Sequence, residues 1–200
     1  MFITFEGGEG SGKTTLIRAI REKLGHALDI RTTREPGGSK VAEAIRNVLL
    51  DPEFEGVTPY TEALLFAAAR AQHLDEVILP ALKAGKIVLC DRYIDSSLAY
   101  QGYARGLGFD FILKINRHAT DNMPDRTFYI DVATEVGIGR ANQRKAPDRL
   151  EQQSKDFHLK VRQGYQEVAK MFPDRIRIID GSQSLADLTA EILEKIRDLL

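Results

Sequence analysis

Gly7-Gly8-Glu9-Gly10-Ser11-Gly12-Lys13-Thr14 fits the pattern G-x-x-x-x-G-K-[ST] without a gap, and no other stretch constrains the fold as tightly. Its context sharpens the reading. Phe2–Glu6 is a short apolar run that reads as a strand, while Leu16, Ile17, Ile20 and Leu24 trace one helical face that stops at Gly25. Glycines at such a strand-to-helix turn let backbone N–H groups point inward at a helix N-terminus, forming a nest for anionic oxygens. Lys13 then brings a point charge to the β- and γ-phosphates, and the Thr14 hydroxyl suits a Mg²⁺ ion. A chance glycine-rich turn rarely has strand, loop and helix in register. The loop is read as a nucleoside triphosphate site, made by Gly7 through Thr15.

The remaining chain alternates short apolar runs with longer amphipathic ones. Strands are expected at Ile30–Thr33, Ile87–Asp91, Thr127–Asp131 and Ile176–Asp180. Helices are expected from Ser39 to Leu50, from Thr61 to Ala84, from Thr134, over Glu151–Met171, and from the Ser184-x-x-Asp187 capping box onward. Strands separated by helices imply βαβ units, hence a five-stranded parallel sheet with helices on both faces in a single α/β domain over residues 1–200. No internal repeat or linker interrupts it. Asn142–Asp148 is the least apolar stretch and carries Arg144 and Lys145; an ordinary surface loop and a mobile flap would both look like this.

A triphosphate loop alone leaves GTPases, transport ATPases, helicases and small-molecule kinases open. The chain has no Asn-Lys-x-Asp and no Asp-x-x-Gly, so the usual guanine and switch motifs are missing. Helicases and transporters normally need more chain than 200 residues. A nucleotide or nucleoside kinase is the class that remains. Net charge is −1, so no global positive field gathers nucleic acid or an acidic membrane. The single cysteine, Cys90, follows Ile87-Val88-Leu89 and reads as a buried core thiol; with no internal disulfide possible, a reducing compartment is expected. Met1 leads straight into an apolar strand with no leader pattern, and no apolar run reaches the roughly 18 residues of a membrane helix. The expected setting is cytoplasmic.

Two further groups of residues have alternative readings. Asp91 ends an apolar strand, where a carboxylate could reach a metal's hydration shell or merely cap the next turn. Arg92, Ser96, Ser97, Tyr100 and Gln101 follow it, at the strand end where α/β sheets hold ligands. Arg92 there suits a bidentate grip on phosphate. Phe66 and Arg70 stand four apart on one helical face. They could form an aromatic platform and donor for a base, or Arg70 could pair with a carboxylate such as Glu35.

Taken together these residues closely resemble the thymidylate kinase family. The likeness rests on Phe5-Glu6-Gly7 with the phosphate loop, Thr33-Arg34-Glu35-Pro36-Gly37-Gly38, Asp91-Arg92-Tyr93 with Ser97-x-x-Tyr100-Gln101-Gly102, Tyr129-Ile130-Asp131-Val132, and Asp148-Arg149-Leu150-Glu151, in that order. The resemblance implies the nucleoside monophosphate kinase fold and transfer of the ATP γ-phosphate to dTMP, giving dTDP and ADP for dTTP synthesis. It implies that Phe66 stacks on thymine, Arg70 bonds its O4, and Gln101 and Ser97 meet the remaining edge. Arg92 would hold the dTMP phosphate, Tyr100 would crowd the sugar 2′ carbon, Glu9 would sit by the acceptor, and Pro36 would shape the loop behind it, often through a cis bond. Thr14 and Asp91 would serve Mg²⁺.

No arginine occupies the variable positions of the phosphate loop, which resembles the bacterial form of the family, where a lid supplies the basic residues. That lid would be residues 141–150, with Arg144 and Arg149 catalytic alongside Lys13, Arg92 and Glu9, and Arg140 and the Gly181–Gln183 loop bordering adenine. Asn142 departs from the arginine often found there, and Lys145 is a candidate to compensate. The family is generally homodimeric. None of the four histidines falls in a motif, and a phosphate monoester with its second pKa near 6 needs no general base. The alternatives at this point are another P-loop nucleoside or nucleoside monophosphate kinase, and a non-catalytic ATP-binding protein.

Overall fold

The structure is a computed structural model that describes residues 1–25, 28–54, 56–143 and 147–200. Five strands, β1 (Phe2–Glu6), β2 (Ile30–Arg34), β3 (Ile87–Asp91), β4 (Arg126–Asp131) and β5 (Ile176–Asp180), form one parallel sheet in the order β2-β3-β1-β4-β5. The chain fills one side of β1 first and then crosses to the other. The order therefore reverses at β1, and the crevice at its carboxyl end is where ligands bind in such sheets.

Alternating side chains of β1 divide the core. Ile3 and Phe5 face α1 (Lys13–Leu24) and α10 (Leu185–Arg197), joining Leu16, Ile20, Leu89, Phe128, Ile130, Ile192 and Ile196. Phe2 faces the opposite side with Val88, Cys90, Leu74 and Ile78. Each fully buried side chain of this size contributes about 1.5–3 kcal/mol. On that second face α9 (Lys155–Met171) lays Phe157, Val161, Tyr165 and Val168 against Tyr129, Leu98 and Tyr100. The expected apolar stripe is the buried one.

Three local details differ from the pattern reading. The helix expected from Thr61 to Ala84 is α3 (Pro59–His73), a π-helical stretch Leu74–Ile78, then α4 (Leu79–Lys83). Pro80 has no N–H to give the carbonyl four residues back, and the wide turn, in which Leu79 N–H reaches Leu74 O, accommodates it. α9 begins at Lys155 rather than Glu151 because Ser154 caps it through Phe157 N–H at 3.2 Å, while Asp148 accepts Leu150 and Glu151 N–H, both at 2.9 Å, in a separate turn. Ser39 stands at the start of α2 (Lys40–Leu50), but its hydroxyl makes no capping bond. Between β3 and β4 run α5 (Ile94–Ser97), a second π-helical stretch Leu98–Ala104, α6 (Phe109–Ile115) and α7 (Arg117–Thr120), none of which a 3.6-residue period reveals. α8 (Thr134–Ala141) follows β4. No described helix is long and apolar enough to cross a membrane.

Candidate active site

The phosphate loop closes directly onto α1, whose first residue is Lys13. The Lys13 ammonium donates to Gly7 O, Gly8 O and Ser11 Oγ, each at 3.0 Å, so it is held at the mouth of the nest. Burial, helped by the Arg92 charge, lowers its pKa to about 8 against the pull of Asp91, Glu9 and Glu6. An arriving polyanion would reverse that penalty. Gly10 has φ 65°, and a Cβ there would meet Gly137 O of α8 at 2.0 Å. Only glycine lets the loop lie this close to the helix. The loop encloses a cavity of about 120 Å³ lined by Glu9 through Thr15 with Asp91 and Arg92. Within it the Thr14 hydroxyl donates to Asp91 Oδ2 at 2.7 Å, so the two groups expected to serve a metal meet across 77 residues of sequence.

Arg92 is the meeting point of the site. Its backbone is left-handed at φ 70°, unusual for a residue with a Cβ, and its N–H donates to Phe5 O at 2.9 Å. The next amide, Tyr93 N–H, donates to Glu6 Oε1 at 2.7 Å, so the Glu6 carboxyl pins the turn from below. The guanidinium donates to Glu9 Oε1 at 2.7 Å, to Gly7 O and Tyr165 Oη at 3.0 Å, and to Ser96 Oγ at 3.3 Å. It also lies 5.2 Å from the Tyr100 ring centroid. Burial alone would raise Glu9, but Arg92, Lys13 and the Tyr100 hydroxyl together hold it below the usual carboxylate range. Glu6 goes the other way: burial and the nearby Asp95 charge push it to about 7, opposed by Ser96, Arg92 and Tyr93 N–H.

A larger cavity, about 290 Å³, shares Glu9, Thr14 and Arg92 with the phosphate loop and continues to Pro36, Phe66, Arg70, Ser97, Tyr100 and Gln101. Every residue that the resemblance assigned to the acceptor lines this one space. The Glu35–Pro36 peptide is cis. The ion pair considered for Arg70 is present: its Nε pairs with Glu35 at 2.7 Å, with NH1 on Asn116 Oδ1 at 2.6 Å and NH2 on Tyr93 O at 3.1 Å, and the residue also lines the cavity. Those contacts use three of the five guanidinium N–H groups and leave two. Ser97 Oγ is buried without a partner among the described residues, which is costly unless a ligand supplies one.

Other expected residues lie elsewhere. Arg149 is turned into the protein: its NH1 pairs with Glu62 at 2.9 Å and its Nε donates to Leu49 O at 2.8 Å, and it lines neither cavity. A guanidinium on the apolar side of a turn needs a buried carboxylate more than it needs solvent, and Glu62 provides it. Arg140 and Gln183 are exposed, Gln183 on Glu191 at 3.2 Å. Arg144 and Lys145 lie outside the described residues.

Arg46 in the cavity wall, and Tyr165 and Glu62 behind it, escaped the sequence reading. Arg46 lines the larger cavity with its NH1 on Pro36 O at 2.8 Å, and nothing local in the sequence marks it. Tyr165 reads as one more member of the α9 stripe, yet its hydroxyl meets Arg92, Ser96 and Glu6. Glu62 had a visible signal: a carboxylate four residues before Phe66, on the face of α3 that must be buried.

Comparison with known proteins agrees with this geometry. The family model described as thymidylate kinase matches residues 5–192. A thymidylate kinase of Acholeplasma laidlawii is 56% identical, the alignment covering 98% of each chain. One of Oceanobacillus iheyensis is 49% identical, covering 100% of this chain and 91% of the relative. The crystal structure of thymidylate kinase from Ehrlichia chaffeensis superposes with a TM-score of 0.81 at 34% identity over 98% of each chain. Matched by that model over residues 5–192 and by relatives at about half identity over nearly their full length, the chain belongs to the thymidylate kinase family.

Proposed function

We propose a division of labour for the reaction of this family, the phosphorylation of dTMP by ATP. The observation that carries it is the overlap of the two cavities at Glu9, Thr14 and Arg92, which supports an acceptor phosphate lying beside a triphosphate. Backbone N–H groups of Gly7–Thr15 and Lys13 hold the β- and γ-phosphates of ATP. Arg92 grips the dTMP phosphate, and its contact with Glu9 is relieved as the anion takes the guanidinium. Phe66 stacks on the base, Arg70 donates to O4 with one of its free N–H groups, and Ser97 and Gln101 meet the remaining edge. Tyr100 crowds the sugar at C2′.

The oxygen donors of Thr14 and Asp91, 2.7 Å apart, fit Mg²⁺, which prefers a few protein oxygens with phosphate and water completing its shell. When bound, such an ion neutralises charge on the β- and γ-phosphate oxygens. A phosphate oxygen of dTMP, already deprotonated at neutral pH, attacks the γ-phosphorus and ADP leaves. Lys13 and Arg92 neutralise the equatorial charge, so positioning and electrostatics are the whole of catalysis. Within the lid segment 141–150, Arg144 is the residue assigned to the transferred phosphoryl, and Arg149 anchors the far end on Glu62. Arg140 and the Gly181–Gln183 loop border the adenine. Coupled ADP release over a panel of nucleoside monophosphates tests this reading, and turnover with another base but not with dTMP would overturn it.

The protein is further proposed to act in the cytoplasm as a homodimer through α2 and α3. These adjacent helices leave Val41, Val48, Tyr60 and Leu64 exposed at 48%, 41%, 59% and 52%, apolar side chains that an interface would cover. Sedimentation of wild type against Leu64→Asp tests it, with a shift to monomer expected and an unchanged monomeric wild type contradicting it.

A further inference from the structure

Gln101 lines the acceptor cavity, yet what it can read there depends on which end of its amide faces the ligand. That choice is made by Glu62, which is fully buried on α3. Gln101 Nε2 donates to Glu62 Oε1 at 2.9 Å. The same oxygen accepts Arg105 Nε at 3.2 Å, while Oε2 accepts Arg105 NH2 at 3.1 Å and Arg149 NH1 at 2.9 Å. Both carboxylate oxygens are thus acceptors, held by two arginines that can only donate. Turning the Gln101 amide over would set two oxygens against each other at this distance in a buried site. The network therefore fixes the amide, with its nitrogen on Glu62 and its carbonyl oxygen left for the cavity.

We infer that Glu62 is a specificity-determining positioning residue: by holding the Gln101 amide nitrogen, it makes the cavity present a hydrogen-bond acceptor that selects a pyrimidine whose N3 carries a proton. The inference rests on the proposed placement of the base between Phe66 and Gln101. Thymine and uracil carry N3–H beside a 4-oxo group, matching the Gln101 oxygen and the free Arg70 N–H groups. Cytosine reverses both, with a bare N3 acceptor beside a 4-amino donor. Glu62 touches no substrate. It acts through Gln101, and its two oxygens are occupied by N–H donors from Gln101, Arg105 and Arg149.

The test is the ratio of kcat/KM for dTMP and dCMP in wild type and in Glu62→Gln. A glutamine in its less opposed orientation keeps its oxygen for Arg105 NH2 and Arg149 NH1 and sets its amide nitrogen against Gln101 and the single Arg105 Nε–H; the Gln101 amide then turns and presents N–H groups to the cavity. The expected result is a dTMP-to-dCMP ratio narrowed about tenfold or more, the scale of relieving a buried polar mismatch. A merely structural loss would lower both rates and leave the ratio alone. An unchanged ratio in a folded, active variant overturns the inference while leaving the kinase reading intact. No turnover of dTMP by wild type would sink that reading instead. If Glu62→Gln fails to fold, hydrogen exchange of the Gln101 side-chain NH2 in unliganded wild type decides. Slow exchange, matching a buried bond to Glu62, is expected; fast exchange, matching an NH2 facing the open cavity, overturns the inference.

Discussion

Phe66, Arg70, Ser97 and Gln101 are each more than nine-tenths buried in the cavity wall, whereas Arg140 and Gln183, assigned to the donor base, are exposed. The acceptor half is held by side chains already locked to one another: Arg70 on Glu35, Asn116 and Tyr93, and Gln101 on Glu62. The donor half is held by a backbone nest and one lysine. On the proposed assignment of this cavity to dTMP, ordering its wall costs little rotamer entropy on binding, which favours discrimination between bases. The phosphate nest recognises what all triphosphates share. Changes in the first half should alter selectivity and stability together, and changes in the second should alter rate while leaving the fold alone.

Lys13→Ala gives the largest expected effect and the hardest test of that contrast. It removes the phosphate charge and little packing, so turnover should fall by about 10³-fold or more with the melting temperature nearly kept. Turnover within about tenfold of wild type would break the donor half of the comparison. Next comes Arg144→Ala. A lid arginine acts on charge developed in the transition state, so kcat should fall near the lower end of the range for such groups, about 10³-fold, with KM for dTMP little changed. Movement of the acceptor KM alone would make Arg144 an acceptor-binding residue.

In the acceptor half, Arg70→Ala should behave differently. Wild type should disfavour dCMP by about 10⁴–10⁵-fold in kcat/KM, and dUMP, which lacks one methyl group, by only about 10–200-fold. The variant should narrow the dTMP-to-dCMP ratio by about tenfold or more, lower dTMP activity and melt earlier, since Glu35 and Asn116 lose their partner. An unchanged ratio would reduce Arg70 to its ion pair with Glu35.

The smallest effect is on stability against pH. Glu6 has its folded pKa raised to about 7 from an unfolded value near 4.5, so the native state binds that proton more tightly. Its contribution to stability is present at the acid end and is lost as pH rises through about 7, a change of roughly 3 kcal/mol. Glu6→Gln should flatten that part of the curve, measured by urea melts from pH 4.5 to 8. Equal slopes for both proteins would show that the carboxyl beneath Arg92 is not the group that titrates there.

The parallel sheet and the phosphate loop were legible in the sequence because each rests on local spacing, while the roles of residues that line the larger cavity came only through the family resemblance. Strand and helix periods do not depend on distant neighbours, and the motif around Lys13 needs only a strand before it and a helix after it. The pairing of Thr14 with Asp91, the joint hold of Glu35 and Asn116 on Arg70, the inward turn of Arg149 and the grip of Glu62 on Gln101 were not legible. Each joins groups on separate elements, between 35 and 87 residues apart in the chain. A buried charge must find a partner, but which one lies near is fixed only when the sheet closes and the helices pack. Sequence alone determined which chemistry this chain carries; only the tertiary structure decided which side chains hold that chemistry in place, because desolvation turns proximity into obligation.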